Sequence, residues 1–422
     1  MVKLDERGRG KNKPASEYDI NEVRNVLLEK IDGEMQLNIN DPLDYREEDL
    51  IYRDNKMNLL SLFCGAGGLD LGVELAGLDV VLGKEKTNEF LKDRDTFNAV
   101  RNDGVFHHLY SNDFFKEALE TYKQNFPKSV LTHNKDIRKV KQFPKADIVV
   151  GGPPCPGYSS AGPRLVDDPR NFLYVHYIRS LMQVKPRFFI LENVKGMLTL
   201  ADGEVFRQIK QDFEASGYRV YPKLVNARDF GVPQIRERII LVGVREDIDF
   251  EYVFPDPTHG DSPDLRPFVT LREAIGDLEE EPGDIFEGSY SSIFMSRNRK
   301  KSWDEQSFTI QASGRQAPIH PAGLPMEKVG KDQWIFPDGE ENNRRLSVKE
   351  IARIQTFPDW YEFSEGEIDG ISKNGRLNKV YKQIGNAVPV QLARAIARPL
   401  AQYLHDEMKK GQVKQTKEKV IG

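Results

Sequence analysis

Between Met57 and about residue 247, short apolar runs alternate with helical segments, and a chain with that rhythm has few ways to fold. Asn58–Phe63 reads as a buried strand, followed by a glycine turn and a helix through Leu75. Val80–Leu82 reads as the second strand. Further on, strands are expected at Asp147–Val150, Arg187–Leu191 and Ile239–Val244, and helices at Phe115–Asn125, Phe172–Val184 and Val205–Ala215. Helical crossovers between apolar strands predict an α/β fold with a mostly parallel sheet, covered on both faces.

Outside that region the pattern changes. Residues 1–56 lack the rhythm and read as an N-terminal extension, with a short amphipathic helix at Asp19–Ile31. Residues 250–345 are rich in Pro, Gly, Arg and aromatics and predict a second, irregular unit. Ser347-Val-Lys-Glu350 is a capping-box pattern opening a short helix. Pro389–Met408 reads as a long helix that Pro399 should bend or break.

The net charge of −5 does not by itself favour a nucleic-acid partner, but the charge is segregated. Arg272–Glu287 is strongly acidic, whereas Ser289–Trp303 carries Arg297, Arg299, Lys300 and Lys301 and no acid. No apolar run approaches the ~20 residues of a membrane helix. The polar start is unlike a secretory signal. Two cysteines, Cys64 and Cys155, exclude a disulfide framework and a cysteine-based zinc site, and no metal is expected. A cytoplasmic, reducing location is expected.

Three motifs carry chemistry. Phe63-Cys-Gly65-Ala-Gly67-Gly68 joins a strand to a helix, so its backbone can approach a ligand closely. Glu85, after the next expected strand, could accept hydrogen bonds from a ribose. Both features fit dinucleotide-dependent oxidoreductases as well as methyltransferases. Gly151-Gly-Pro-Pro-Cys155 follows a strand directly; its prolines hold one thiol at the sheet edge where ligands bind. Glu192 ends the neighbouring expected strand and should project over the same edge. Arg236 and Arg238 share one side of an extended chain and could orient a carboxylate, a base or a phosphate.

Taken in order, Phe63–Gly68, Pro153-Pro-Cys155, Glu192-Asn-Val194, Gln234-Ile-Arg-Glu-Arg238, Arg345–Pro358 and Gly385-Asn-Ala-Val-Pro389 closely resemble the DNA (cytosine-5) methyltransferase family of restriction–modification systems. The resemblance implies a class I S-adenosylmethionine-dependent fold, in which residues 57–247 and a returning segment, 378–408, form the catalytic domain. Residues 248–377 would recognise the target, 409–422 would be a basic tail, and 87–115 would be an inserted surface excursion. It implies S-adenosylmethionine as methyl donor and double-stranded DNA as substrate. Phe63, Gly65, Gly67 and Gly68 would border the cofactor, Glu85 would hold its ribose, and Asp136 and Ile137 its adenine. Pro153, Leu173, Asn386 and Val388 would complete that pocket. Cys155 would add to the base, Glu192 would contact its N3 edge, and Arg238 with Arg236 would fix the nucleophile loop or the base.

The chain departs from the family at Pro156, where glutamine is usual, and at Tyr158, where phenylalanine is commoner. His107 and His108, inside the expected excursion, read as solvent-exposed. In the irregular unit, Arg297, Arg299, Lys300, Lys301, Gln311, Arg315 and Gln316 are candidate DNA-binding residues, since arginine suits guanine and glutamine adenine. This block resembles the recognition regions of members acting on GGCC. A monomer is expected, associated with the nucleoid through DNA, with a cognate endonuclease acting separately. The alternatives are an RNA cytosine methyltransferase, an oxidoreductase and a silent DNA-binding protein.

Overall fold

The computed structural model describes residues 19–36, 44–154, 173–199 and 203–421. After α1 (Ile20–Gln36), the first half of the sheet region runs β1 (Met57–Leu62), α2 (Gly68–Leu82), α3 (Lys84–Phe90), α4 (Arg94–Val100), β2 (Phe106–Asp113), α5 (Lys116–Asn125) and β3 (Leu131–Asn134). The second half runs β4 (Ile148–Gly151), α6 (Leu173–Val184), β5 (Phe188–Val194), α7 (Glu204–Ala215), β6 (Tyr218–Asn226) and β7 (Glu237–Arg245). Then come α8 (Leu271–Ile275), the hairpin β8 (Glu327–Gly330) and β9 (Gln333–Ile335), α9 (Val348–Ile354), α10 (Lys373–Asn386) and α11 (Val390–Ile421).

Among the described residues, seven strands form one sheet in the order β3-β2-β1-β4-β5-β7-β6. β1 pairs in parallel with both β2 and β4, and β7 alone runs antiparallel, between β5 and β6. The strand order therefore reverses between β1 and β4, where a crevice opens beyond the strand ends. Side chains alternate along each strand, and each face finds its own cover. Leu59, Ile148, Val150, Phe188, Ile190, Ile240 and Val242 pack beneath α2 and α11. Leu60, Val149, Phe189, Leu191, Ile239 and Leu241 pack beneath α6 and α7.

Several expectations change. Val80–Leu82 is the last turn of α2, not a strand. Leu71, Leu75, Leu78 and Leu82 continue one helical spacing through it, and Val81 is half-exposed, which a central strand would not allow. The second strand is β2, and it lies within the expected surface excursion of 87–115. That stretch is a structural part of the sheet. His107 and His108 are accordingly buried, at 6% and 4% exposure. β3 and β6, at the two edges of the sheet, lack the apolar runs of the central strands. α11 continues through Pro399, because Ile396, Ala397, Leu400 and Leu404 around it are buried.

Packing also redraws the expected boundary at residue 248. Tyr252 lies in the core beneath α11 and donates its hydroxyl to Ile396 O at 2.8 Å. Phe357 and Tyr361 pack with Leu71, Leu75 and Tyr122 beneath the glycine loop. α8, α9 and α10 share a separate core built on Leu271, Ile275, Leu346, Ile351, Tyr381 and Ile384. Phe294, Ile319, Met326 and Phe336 form a smaller core beside the hairpin.

α2 and α11 touch backbone to backbone at Gly72, where an added Cβ would lie 2.4 Å from Ala393 Cβ and 2.6 Å from Val390 O. Gly72→Val must push the helices apart. It is expected to destabilise the fold by about 3 kcal/mol, at the upper end of overpacking costs. A fall in the urea midpoint would show it; an unchanged midpoint would contradict this packing.

Candidate active site

The crevice beyond β1 and β4 is a cavity of about 660 Å³, within the range of small-molecule sites. Its floor is the glycine loop. Gly67 precedes α2 with φ +80, a conformation glycine adopts without penalty. Gly68 lies so close to the C-terminal segment that a Cβ would meet Val388 O at 2.4 Å. The first N–H groups of α2 are thereby presented near the cavity.

Most of the residues expected to hold a cofactor line this cavity: Phe63, Gly65, Gly68, Asp136, Ile137, Pro153, Leu173, Asn386 and Val388. Gly67 shapes the loop without lining it. Burial pushes the Asp136 carboxyl up, but hydrogen bonds from Arg138 outweigh this and hold it below its ordinary value. Glu85 is a correction. It sits exposed in the first turn of α3 and is not part of the cavity wall, because the strand expected before it is helix.

The carboxylate at the end of the true second strand is Asp113. It lines the cavity and accepts from Gly65 N at 2.8 Å and Phe115 N at 2.7 Å. Each oxygen retains acceptor capacity. Burial pushes its carboxyl up, with those backbone N–H groups opposing. Beside it, Phe114 lines the cavity with 76% of its surface exposed, an apolar face open to a planar ring. The signal for both was Ser111-Asn-Asp-Phe114 directly before the helix at Lys116, obscured because the preceding strand contains two histidines.

Cys155 lies outside the described residues. The loop leading to it does not: Gly151, Gly152, Pro153 and Pro154 line the cavity. Asn193 Nδ2 donates to Pro153 O at 3.1 Å, tying this loop to the end of β5. Glu192 is buried, with Arg238 Nε 2.8 Å from its Oε1. A Cβ on Gly152 would lie 3.3 Å from Glu192 Oε2, so the carboxylate stands against the Pro-Pro loop. Cys64 also lines the cavity, but burial, then the charges of Asp113 and Asp70, push its thiol well above its ordinary value.

Arg236 does not share that edge. It is 1% exposed and donates to Ile310 O (3.3 Å), Gly385 O (3.0 Å) and Ala387 O (3.1 Å). It precedes β7, and its hydrogen bonds run to carbonyls of two other segments, while the charge of Glu192 still acts on it.

The expected DNA-binding residues divide. Arg297 and Arg315 are exposed. Arg299 is buried, donating to Phe294 O (3.2 Å) and Gln316 Oε1 (2.8 Å), and Lys300 is buried with Nζ 2.7 Å from Asn343 Oδ1. These two support the small core rather than offer charge outward. Lys301 donates to Glu305 Oε1 at 2.6 Å and lies over the Phe308 ring. Gln311 and Gln316 are half-buried. Phe294 and Arg345, in cation–π contact at 5.3 Å, complete this scaffold.

The sheet order with its single antiparallel strand, and the cavity at the β1/β4 switch, define a class I S-adenosylmethionine-dependent methyltransferase fold. Residues 57–402 match the family of C-5 cytosine-specific DNA methylases, and the chain belongs to it. It is 64% identical over 408 residues to the type II methyltransferase M.BspRI of Lysinibacillus sphaericus, covering 97% of this chain and 96% of that one. It is 62% identical over 404 residues to M.BsuRI of Bacillus subtilis, covering 95% and 92%. Among solved structures, a mutant DNMT2 of Spodoptera frugiperda shares the fold, with a TM-score of 0.54 at 18% identity over 83% of this chain and 100% of that one. The chain is thus a DNA (cytosine-5) methyltransferase whose methyl donor is S-adenosylmethionine, rather than an RNA enzyme. Among the described residues, no helix is long and apolar enough to cross a membrane.

The cavity suits that donor: a carboxylate for hydroxyls, an aromatic face for a base and a helix start for a carboxylate group. Asp113→Ala is expected to weaken S-adenosylhomocysteine binding by roughly 10- to 100-fold, the scale of charged hydrogen bonds. Glu85→Ala should change it less than twofold. Calorimetric titration of both variants checks this, and the reverse ranking would refute the placement.

Proposed function

We propose that Cys155 is the nucleophile of methyl transfer, that Glu192 and Arg238 hold the target base, and that the duplex site is GGCC. The observation that carries this is the juxtaposition of Glu192 with Gly152, on the loop whose next residues are Pro153, Pro154 and Cys155. The thiolate adds to cytosine C6, and the electron pair moves to C5. Glu192, oriented by Arg238, hydrogen-bonds the N3 edge and stabilises the charge developing there. S-adenosylmethionine supplies an electrophilic methyl group, which C5 takes up. Loss of the C5 proton then restores the C5–C6 double bond and expels the Cys155 sulfur.

A stacked cytosine cannot reach a buried cavity wall, so the base leaves the helix, at a cost of a few kcal/mol. The irregular unit holds the duplex meanwhile. Its exposed Arg297 and Arg315 are suited to guanine edges, and its recognition block resembles those acting on GGCC. Similarity to type II methyltransferases supports a place in restriction–modification, with a separate endonuclease cutting the same sequence.

Cys155→Ser is expected to lower turnover at least 1,000-fold while S-adenosylhomocysteine still binds, on the scale of lost nucleophilic catalysis. The unaltered enzyme should form a denaturation-resistant adduct with duplex DNA carrying 5-fluorocytosine, because fluorine cannot leave C5 as a proton does. Turnover near wild type in the serine variant would exclude the covalent route. Bisulfite sequencing of DNA from cells expressing the chain should show 5-methylcytosine confined to GGCC; methylation at another sequence would refute that specificity.

A further inference from the structure

Two bridges of buried side chains connect one residue of the recognition segment with one carbonyl of the cofactor wall. Ile310 donates its N–H to Gln234 Oε1 at 2.9 Å, and its carbonyl accepts from Arg236 Nη1 at 3.3 Å. Gln234 Nε2 in turn donates to Gln355 Oε1 at 2.9 Å. Both paths end on Ala387 O, which accepts from Gln355 Nε2 at 3.1 Å and from Arg236 Nη2 at 3.1 Å. Gln355 Nε2 also reaches Ile384 O at 2.6 Å, and Arg236 Nη2 reaches Gly385 O at 3.0 Å. Gln234 and Gln355 have no exposed surface, and Arg236 has 1%.

A buried guanidinium whose hydrogen bonds, among the described residues, go to carbonyls and not to a carboxylate is an expensive way to fill space. An apolar side chain would pack as well. What the guanidinium alone can do is hold carbonyls from two separate segments in one rigid fork. One of those segments, Asn386–Val388, is cavity wall. The other runs on into Gln311–Gln316, and it too is fastened to α10: Asn378 Oδ1 accepts from Ser313 Oγ at 3.1 Å and from Gly314 N at 3.0 Å. The contact is close, since a Cβ on Gly385 would lie 2.3 Å from Gln311 O. A shift of the recognition strip cannot leave the wall at 386–388 where it was.

We propose that Arg236, together with Gln234 and Gln355, is a positioning residue that couples duplex engagement at Gln311–Gln316 to cofactor affinity at Asn386–Val388. The inference rests on the reading that this strip meets the DNA. Coupling of this kind is reciprocal, and typical values lie between about 5- and 150-fold.

The test measures S-adenosylhomocysteine affinity by calorimetry, without DNA and with a saturating duplex carrying one GGCC site, and takes the ratio. For the unaltered protein a ratio of at least about 5 is expected. Arg236→Lys and Gln355→Met, each confirmed as folded by its thermal midpoint, should bring the ratio below about 2. A merely structural role would weaken both affinities together and leave the ratio unchanged, and that result overturns the proposal. So does a ratio of one in the unaltered protein. Gln234→Met, which cuts the same bridge as Gln355→Met, serves if Arg236→Lys does not fold, and should likewise bring the ratio below about 2. The contact reading is tested separately. Arg315→Ala should weaken duplex binding, and unchanged binding there refutes contact by the strip, while the ratio, read at saturation, still reports on the link.

Discussion

The structure depends on the docking of the far end of the chain against its first glycine-rich helix. Gly68 and Gly72 bring α2 into backbone contact with Val388–Arg394. Arg394 then reaches Asp79 at the other end of α2, with Nε 2.7 Å from Oδ2, in a pair that is almost wholly buried. Such a pair adds little over apolar packing, but leaving either partner alone is costly, about 3–5 kcal/mol. It therefore fixes one register between the two helices. That register places Asn386 and Val388 over the glycine loop and closes the cavity. The cofactor site is thus assembled from segments more than three hundred residues apart.

This arrangement explains what could be read from the amino-acid order and what could not. β1, β4 and β5 are covered on both faces, so their sequences are nearly unbroken apolar runs. β2 is covered equally well, yet it carries His107, His108, Ser111 and Asn112. Each histidine is made tolerable by a partner distant in sequence. His107 Nε2 lies 2.6 Å from Ile51 O, and His108 packs its edge on Phe126. Burial pushes His108 down to about 4, so it is neutral at physiological pH and compatible with a core. Periodicity registers polarity but not the partner that cancels it. A sequence pattern that hides β2 also hides the cavity-lining carboxylate at its end, Asp113, and points to Glu85 instead. The glycine loop, the Pro-Pro loop and Glu192 were legible because backbone geometry at strand ends requires particular residue types there.

The irregular segment after β7 shows the converse error. Arg299 and Lys300 read as outward charge, yet both are turned inward. Arg299 lies 4.8 Å over the Phe294 ring, and Arg345 lies 4.4 Å over that of Tyr290. Beside the hairpin the fully buried apolar cluster is small, Phe294, Ile319, Met326 and Phe336, and gives the loops around it little hydrophobic support. Guanidinium and ammonium groups, with their several donors and apolar stems, take over part of that work. Of the arginines expected to meet DNA, Arg297 and Arg315 are the exposed ones among the described residues.

The two sulfurs of the chain make the same point about environment. Cys64 lies in the cavity wall. Its surroundings disfavour the thiolate: burial removes solvation, and Asp113 and Asp70 add negative charge nearby. Burial holds Asp70 itself up to about 7, so even that carboxyl is only partly ionised near neutrality. A thiol that must ionise to attack a pyrimidine cannot work there. Beside the Pro-Pro loop the charged group is different. Arg238 pairs with Glu192 and offsets its charge, and the edge opens toward the cavity instead of into the core. A thiolate is disfavoured at Cys64 on both counts, which supports the proposal that covalent chemistry belongs to Cys155, the residue that follows the Pro-Pro loop in sequence.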